Sequence, residues 1–150
     1  MRRKDRALSE TDAREILNNG KFGVLSVMGD DGYPYGVPLH YVVIEEKVYF
    51  HSTADGGHKE DSLNQNAKVS FTVIETEDAI KARSAILFGT MELVPDRREM
   101  VLEQFVEKFV PDFAWEQAKS GIPFAKNAIH AYRLNIDHIT GKWVDKPDGK

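Results

Sequence analysis

Residues 22–51, FGVLSVMGDDGYPYGVPLHYVVIEEKVYFH, carry the pattern that decides the fold. Extended apolar segments alternate here with short polar connections, which is typical of strands joined by tight turns. Pro34 and Pro38 each remove a backbone donor, so the strand that contains them is expected at a sheet edge or with a bulge. The stretch predicts three strands, at Phe22–Met28, Tyr33–Ile44 and Val48–His51, with connections at 29–32 and 45–47.

The rest of the chain adds three more strands and three helices. Strands are predicted at Ala67–Thr76, Ser84–Val94 and Asn127–Ile136, and helices at 9–20, at Lys59–Asn66 and from Asp96 to near Pro111. The first helix has a capping-box pattern, because Ser9 is followed by Asp12, and Gly20 is its stop signal. Six short strands without a regular strand-helix-strand alternation favour a mainly β fold, a small antiparallel barrel with peripheral helices. The length of 150 residues predicts a single domain, 1–150.

Composition excludes several classes of protein and of site. The chain has no cysteine, which excludes disulfide scaffolds, zinc fingers and cysteine nucleophiles. Its 20 basic and 24 acidic side chains give a formal charge of -4, which argues against nucleic acid as a partner. The apolar runs are far shorter than the ~20 residues that span a bilayer, so we predict no membrane association and a cytoplasmic location. The spacing of the five histidines predicts no metal site.

The segment from His51 to Lys59 leaves a strand, crosses two glycines and enters a predicted helix. Glycines let backbone N–H groups converge, and a helix start adds unpaired donors, so this geometry suits a phosphate group. Lys59, together with His58 and the hydroxyls of Ser52 and Thr53, would donate hydrogen bonds to the same anion. The alternative interpretation is a surface hairpin exit with a solvated lysine, since neither the dinucleotide glycine fingerprint nor the P-loop sequence is present.

Aromatic side chains concentrate on the second to fourth predicted strands, close in sequence to this segment. Core packing is their ordinary role, but an apolar slot beside an anion site would also suit a planar ring with a phosphate tail. Trp143 lies in a polar tail, 140–145, and is harder to assign to a core. It either covers a partner or a ligand, or it lies on the surface, and the pattern leaves both interpretations open.

Several separated motifs together resemble the nitroimidazole-resistance reductases of the pyridoxamine 5'-phosphate oxidase-like, FMN-binding split-barrel superfamily. In chain order they are MRRKDR at 1–6, VPL at 37–39, VYFHS at 48–52, GHK at 57–59, VSF at 69–71 and ITGK at 139–142. The match runs in order over most of the chain, and the joint occurrence of these motifs is more specific than any one of them. The resemblance implies a six-stranded antiparallel split β-barrel.

The same resemblance implies a homodimer with one FMN in each of two clefts at the subunit interface. It implies that Ser52 and Lys59 hold the phosphate, with His58 as a second basic residue, and that His51, the candidate catalytic residue, stands near the flavin. The residues implied to line the isoalloxazine are Val37, Pro38 and Leu39, and those implied to reach the flavin from the partner subunit are Arg83 and Ser84.

The activity implied by the resemblance is FMN-dependent reduction of a small acceptor, such as a nitroaromatic compound, at the expense of NAD(P)H. A flavin would supply redox chemistry that a chain without cysteine lacks. His51 would act as a proton donor or orienting group, or would make a structural hydrogen bond to FMN. Because a fold does not fix a function, a non-catalytic flavin- or other cofactor-binding module is the alternative, with haem or deazaflavin in place of FMN as a third.

Overall fold

One antiparallel sheet contains most of the residues that the structure, a computed structural model, describes, which are 4–29, 31–53, 68–77 and 81–145. Its strands are β1 (Ala7–Leu8), β2 (Phe22–Met28), β3 (Pro34–His40), β4 (Val42–Ile44), β5 (Lys47–Thr53), β6 (Lys68–Thr76), β7 (Ala82–Leu93) and β8 (Ile129–Asp145). They follow the order β3-β2-β6-β7-β8-β5-β4, with β1 paired to β8. The mainly β fold class predicted from the sequence is therefore confirmed.

Helices flank this sheet. Those in the described ranges are α1 (Glu10–Asn19), α2 (Arg98–Phe109), α3 (Trp115–Ser120) and α4 (Ile122–Ala125), with short 3-10 turns at Lys4–Arg6, Pro95–Arg97, Asp112–Ala114 and Lys126–Ala128. The predicted cap of α1 is confirmed, because the Ser9 side chain accepts a hydrogen bond from the Asp12 N–H at 3.1 Å. The helix predicted from Asp96 is α2, preceded by a 3-10 turn. The helix predicted at Lys59–Asn66 lies outside the described residues.

The position of Tyr41 explains why the sheet curls into a barrel. β3 and β4 stand at opposite ends of the strand order, yet Tyr41 is the only residue between them in the chain. One residue spans at most ~3.6 Å, so the two ends of the sheet must meet there. The Tyr41 ring is fully buried and packs edge-on against Phe71 of β6, with 5.1 Å between ring centroids. The single strand predicted at Tyr33–Ile44 is therefore two strands. The predicted split barrel is confirmed, but its sheet has eight strands among the described residues instead of the predicted six.

Pro34 and Pro38 lie on an edge strand, where the missing backbone N–H of a proline is tolerated. β3 ends the strand order and, within the described part of the sheet, pairs only with β2. Pro38 lies opposite Val24, and Pro34 lies opposite Met28. The missing N–H groups interrupt no second ladder among the described strands, so of the two predicted alternatives, an edge or a bulge, the structure shows the edge.

The last strand differs from the prediction, which ended it at Ile136 and treated 140–145 as a polar tail. β8 continues to Asp145, because β7 supplies a pairing partner along most of its length and β1 pairs with Gly141 and Lys142. A side chain at Gly141 would place its Cβ 2.9 Å from the Cβ of Ala13, so glycine allows α1 to lie against this strand. Polarity predicted a tail here, but pairing with neighbouring strands determines a strand.

Two hydrophobic clusters lie on opposite faces of the sheet. The first fills the barrel and includes Phe50 and Phe71, whose rings meet edge-on at 5.0 Å. The second lies outside the barrel, where Val42, Tyr49 and Val101 pack together between β4, β5 and α2. Side chains alternate along a strand, so His51 lies on the same face of β5 as Tyr49, the face that α2 covers. No helix in the described ranges is long and apolar enough to cross a membrane.

Candidate functional site

A cleft of about 490 Å³ opens between β2 and β3 on one side and β5 and α2 on the other. The described residues that line it are Phe22, Pro38, Leu39, His40, His51 and Phe105. This volume lies within the range of about 300–1,000 Å³ that is usual for small-molecule sites. Because β3 and β5 approach each other only through the curling of the sheet, the cleft is a product of the barrel topology.

Two phenylalanines of α2 hold the two histidines of the cleft in place. The His51 ring meets the edge of Phe105 at 4.6 Å between centroids, and the His40 ring stacks on Phe109 at 4.6 Å. Phe105 and Phe109 in turn stack on each other at 5.6 Å. Offset and edge-on contacts of this kind stabilise aromatic pairs by roughly 0.5–1.5 kcal/mol beyond area burial. The orientation of His51 therefore depends on α2 as well as on its own strand.

The chemistry of this lining is apolar, with two imidazoles. His40 and His51 are the only titratable side chains among the described residues that line the cleft. The remaining walls are aromatic or aliphatic, so they suit a flat, uncharged ring rather than a multiply charged ligand. Within the part of the chain that the structure describes, no group of three or more His, Asp or Glu side chains could hold a metal ion.

The structure brings together three of the residues assigned to a flavin from the sequence. Pro38 and Leu39 of β3 and His51 of β5 share the cleft. Val37 is half-buried opposite Leu25 and does not line it. Ser52 follows His51 on β5, so its side chain points to the other face of the strand. His58 and Lys59 lie outside the described residues, so their predicted contacts remain predictions.

Arg83 has partners within its own chain. Its Nη2 atom lies 2.6 Å from Glu75 Oε1, and its Nε atom donates a hydrogen bond to the same oxygen at 2.7 Å. Glu15 of α1 lies 4.0 Å away, and the ring centroid of Trp143 lies 5.7 Å from the guanidinium carbon. Trp143 is half-buried on β8. The flavin contact predicted for Arg83 is made across a subunit interface, so it remains a prediction.

Ser84 lies in a different concavity, on the outer face of the barrel. This concavity of about 370 Å³ is lined by Ser84 together with Phe88, His138, Thr140 and Lys142 among others. Ser84 is only 4% exposed and is the one buried polar residue among those that the structure describes. Within one chain, Ser84 and His51 thus face separate spaces.

Sequence reasoning missed three lining residues, Phe22, His40 and Phe105. The sequence predicted a helix over Phe105, from Asp96 to near Pro111, and gave no sign of which surface that helix covers. His40 directly follows the VPL motif at 37–39, which was the one local signal that could have indicated it. Phe22 is 63% exposed at the start of β2, which is unusual for a large apolar ring.

Comparison with known proteins relates this chain to one family. The family model described as pyridoxamine 5'-phosphate oxidase matches residues 9–143, which is nearly the whole chain. None of the curated proteins matches the chain. The predicted resemblance to this superfamily is confirmed.

Solved structures share the fold at low sequence identity. A protein from Bacteroides thetaiotaomicron assigned to 5-nitroimidazole antibiotic resistance is 18% identical, with a TM-score of 0.76 over 91% of this chain and 86% of that one. An FAD-binding protein from Mesorhizobium loti is 23% identical, with a TM-score of 0.70 over 93% and 98% of the two chains. A flavocytochrome from Azotobacter vinelandii is 20% identical, with a TM-score of 0.78 over 99% and 76%. These likenesses establish the fold.

Proposed function

The chain belongs to the pyridoxamine 5'-phosphate oxidase family, and from this premise we propose that it is a flavoprotein that binds FMN. It uses NAD(P)H to reduce small acceptors, such as nitroaromatic compounds. One observation carries the proposal: Pro38, Leu39 and His51, assigned to the flavin from the sequence, converge on one cleft although β3 and β5 are not neighbours in the sheet.

The cleft fits the ring system of a flavin in size and in chemistry. Its volume is about 490 Å³, and the side chains of Pro38, Leu39 and Phe105 give it apolar walls. Such walls exclude water from one face of a bound ring and hold the ring by burial of apolar surface. When bound, FMN supplies the hydride and electron chemistry, and the protein binds and orients it.

In this proposal the phosphate group of FMN is bound by Ser52, His58 and Lys59. Ser52 lies near the end of β5, from which the chain continues toward the other two residues. A hydroxyl, an imidazole and an ammonium group are suitable donors for a phosphate, and the charged donors make the stronger hydrogen bonds. His58 and Lys59 are outside the described residues, so substitution of Lys59 is the direct test of this assignment.

His51 holds a proton for the reaction at an imidazole nitrogen. An imidazole can donate a proton from one ring nitrogen and accept one at the other. The edge contact with Phe105 at 4.6 Å limits rotation of the ring and so fixes where its N–H groups point. Pro38 and Leu39 of β3 line the same cleft as this imidazole.

Replacement of His51 separates this chemical role from a purely structural one. We expect His51→Ala to retain bound FMN, measured as flavin per chain, and to lose turnover by about a hundredfold, the usual contribution of a general acid or base. The pH dependence of kcat should also lose one ionisation. If FMN is lost together with activity, His51 makes a structural hydrogen bond to the cofactor instead.

Assembly of two chains completes the site in this proposal. The outer face of the sheet carries exposed apolar side chains, including Ile74 at 61% and Phe88 at 38% exposure. Ser84 lies opposite Ile74 in the β6–β7 ladder, on this same face. A homodimer formed through the face would cover the apolar surface and bring Ser84 of one chain toward the FMN of the other.

The first test is the absorption spectrum of the purified protein, followed by identification of the cofactor that acid releases. We expect the paired bands of an oxidised flavin and FMN close to one per chain. FAD, deazaflavin or haem would overturn the FMN assignment while leaving a cofactor-binding protein. A colourless protein that does not bind added FMN would overturn the proposal.

Steady-state oxidation of NADH and NADPH with nitroaromatic acceptors tests the activity separately. We expect turnover well above that of free FMN at the same concentration. A protein that binds FMN stoichiometrically but oxidises neither nucleotide faster than free FMN would be a non-catalytic binding module.

A further inference from the structure

The cleft adjoins a second cavity on the far side of His40 and Phe105. This helical cavity, of about 370 Å³, lies among α2, α3 and α4, and both His40 and Phe105 line it as well as the cleft. Its lining on the side of α3 and α4 includes Ala118, together with Gly121 and Ala125, which are exposed, so the cavity opens to solvent there. The cleft and the helical cavity therefore meet at His40 and Phe105, which line both.

The lining of the helical cavity suits an apolar group. Apart from His40, every described residue that lines it is aliphatic, aromatic or glycine. A charged group buried there would find no partner among these side chains, and burial of an unpaired charge is strongly unfavourable. The stacked rings of Phe105, Phe109 and His40 form a wall that is already packed.

Small residues leave the cavity unfilled. At Gly121, the backbone conformation does not require a glycine. Gly121 has an ordinary helical φ of -85°, which any residue adopts. A Cβ at this position would meet nothing closer than the Ala118 carbonyl oxygen, at 3.8 Å. Neither conformation nor packing therefore demands glycine here. What a larger side chain would remove is the empty space between α2 and the α3–α4 pair.

We propose that the electron acceptor of this protein is an uncharged molecule with a ring that shares the cleft with the bound flavin and an apolar tail that occupies the helical cavity. The inference rests on the proposed function and deepens it, because it assigns the shape of the acceptor. His40 and Phe105 lie where ring and tail join. A compact ring without a tail leaves the cavity unfilled and binds less tightly.

A series of para-nitrophenyl alkyl ethers, with tails from methyl to hexyl, tests this assignment. Binding to the protein as purified is measured by titration calorimetry, and KM is measured with the flavin-loaded enzyme. Each methylene group that becomes buried should raise the affinity by about fourfold, until the cavity is full. An affinity that does not change with tail length would overturn the proposal.

Two filling variants and a matched control locate the effect. Gly121→Leu and Ala125→Leu should abolish the dependence on tail length and leave the flavin content unchanged. Ala128→Leu introduces the same side chain at an exposed position outside the cavity, and it should retain the dependence. If all three variants keep the dependence of the parent protein, the tail binds elsewhere and the inference is wrong.

Failure of the proposed function gives a different result from failure of this inference. Tail-dependent binding without turnover would support the helical cavity as the tail site and contradict the reductase. Turnover of the methyl ether with no benefit from longer tails would support the reductase and contradict the tail site. Loss of flavin in Gly121→Leu or Ala125→Leu would place the cavity in cofactor binding and overturn the assignment to the acceptor.

Discussion

Tyr41 satisfies backbone groups that the fold would otherwise leave unpaired. Its hydroxyl donates a hydrogen bond of 2.5 Å to the Leu17 carbonyl, which lies in the last turn of α1 and has no partner within that helix. Burial raises the pKa of the Tyr41 phenol, so the group stays protonated and remains a donor. In return, the Tyr41 carbonyl accepts a hydrogen bond of 2.8 Å from the Lys108 ammonium. One residue thus joins the barrel seam to α1 and α2.

Removal of the Tyr41 hydroxyl should therefore destabilise the whole domain. We expect Tyr41→Phe to lower the free energy of unfolding by about 1–3 kcal/mol, because the buried Leu17 carbonyl loses its donor. Denaturant titration measures the change. Tyr33→Phe is the control, since Tyr33 is 73% exposed and its hydroxyl should contribute little. Equal stability of the two variants would show that water replaces the Tyr41 hydroxyl.

Lys108 should give the stability of the protein a distinct pH dependence. Burial first, and repulsion from Lys21 second, lower the pKa of Lys108 from 10.5 to about 8. The charges that face it are Lys21 and Glu107, and Glu107 is paired with Lys119 at 2.7 Å. Between pH 8 and 10.5 the unfolded chain holds the Lys108 proton that the folded chain has released, so stability should rise with pH across this window.

Comparison with Lys108→Met isolates this contribution from the other groups that titrate in the same range. We expect the free energy of unfolding of the parent protein to gain on that of Lys108→Met as the pH increases from 8 to 10.5. An exposed lysine, changed in Lys47→Met, should give a curve parallel to the parent curve. A parallel curve for Lys108→Met as well would show that Lys108 keeps its proton in the folded state.

At the scale of elements, the bulge between β7 and β8 has a steric cause. The register of the two strands shifts between Phe88 and Gly89. A Cβ at Gly89 would overlap the carbonyl oxygen of Asn135 on β8, and that oxygen belongs to the backbone and cannot move alone. β7 and β8 can approach closely at this point because glycine has no side chain.

Gly89→Ala should separate the two longest strands of the sheet at this point. We expect it to lower the free energy of unfolding by about 1–3 kcal/mol, the usual cost of overpacking. Gly121→Ala is the matched control, because a Cβ there has open space and an ordinary helical φ. That substitution should be neutral or stabilise by about 0.4–1 kcal/mol. Equal thermal midpoints for the two variants would contradict the steric argument.

At the scale of the whole molecule, the outer face of the sheet is covered in one part and open in another. α2 packs against the outer side of β4 and β5, whereas the outer side of β2, β6 and β7 carries exposed Phe22, Val24, Ile74 and Phe88. These apolar side chains share one face of three neighbouring strands, where they are interspersed with small hydroxyl residues such as Ser70, Thr72 and Ser84. Such a patch is typical of an interface between protein chains.

Light scattering of the purified protein should give twice the mass of one chain. Ile74→Glu places a carboxylate in the centre of the patch, and we expect it to yield monomers that retain less flavin than the parent. Phe113→Glu is the control, because Phe113 is 91% exposed on a 3-10 turn away from the sheet. A dimer that survives Ile74→Glu with its flavin would require a different interface.

The sequence by itself determined the features that depend on neighbouring residues. The apolar segment between two turn signals predicted β2 with its observed bounds, and the serine cap predicted the start of α1. The prolines predicted an edge or a bulge for the strand that contains them, and β3 is an edge strand. The VPL and VYFHS motifs indicated Pro38, Leu39 and His51 together through a family resemblance, and these three residues share the cleft. Local hydrogen bonding and steric limits are properties of short segments, so short segments reveal them.

Only the tertiary structure decided which distant segments meet. The extension of β8 through Trp143 depends on partners in β7 and β1, which its own polar sequence does not disclose. The contact of Phe105 with His51 depends on the packing of α2 against the outside of the barrel. The sequence of an amphipathic helix shows which of its faces is apolar but not which surface that face covers. The cleft exists because Tyr41 joins the two ends of the sheet. Closure of that kind is a global property, since it depends on the pairing of every strand between β3 and β4.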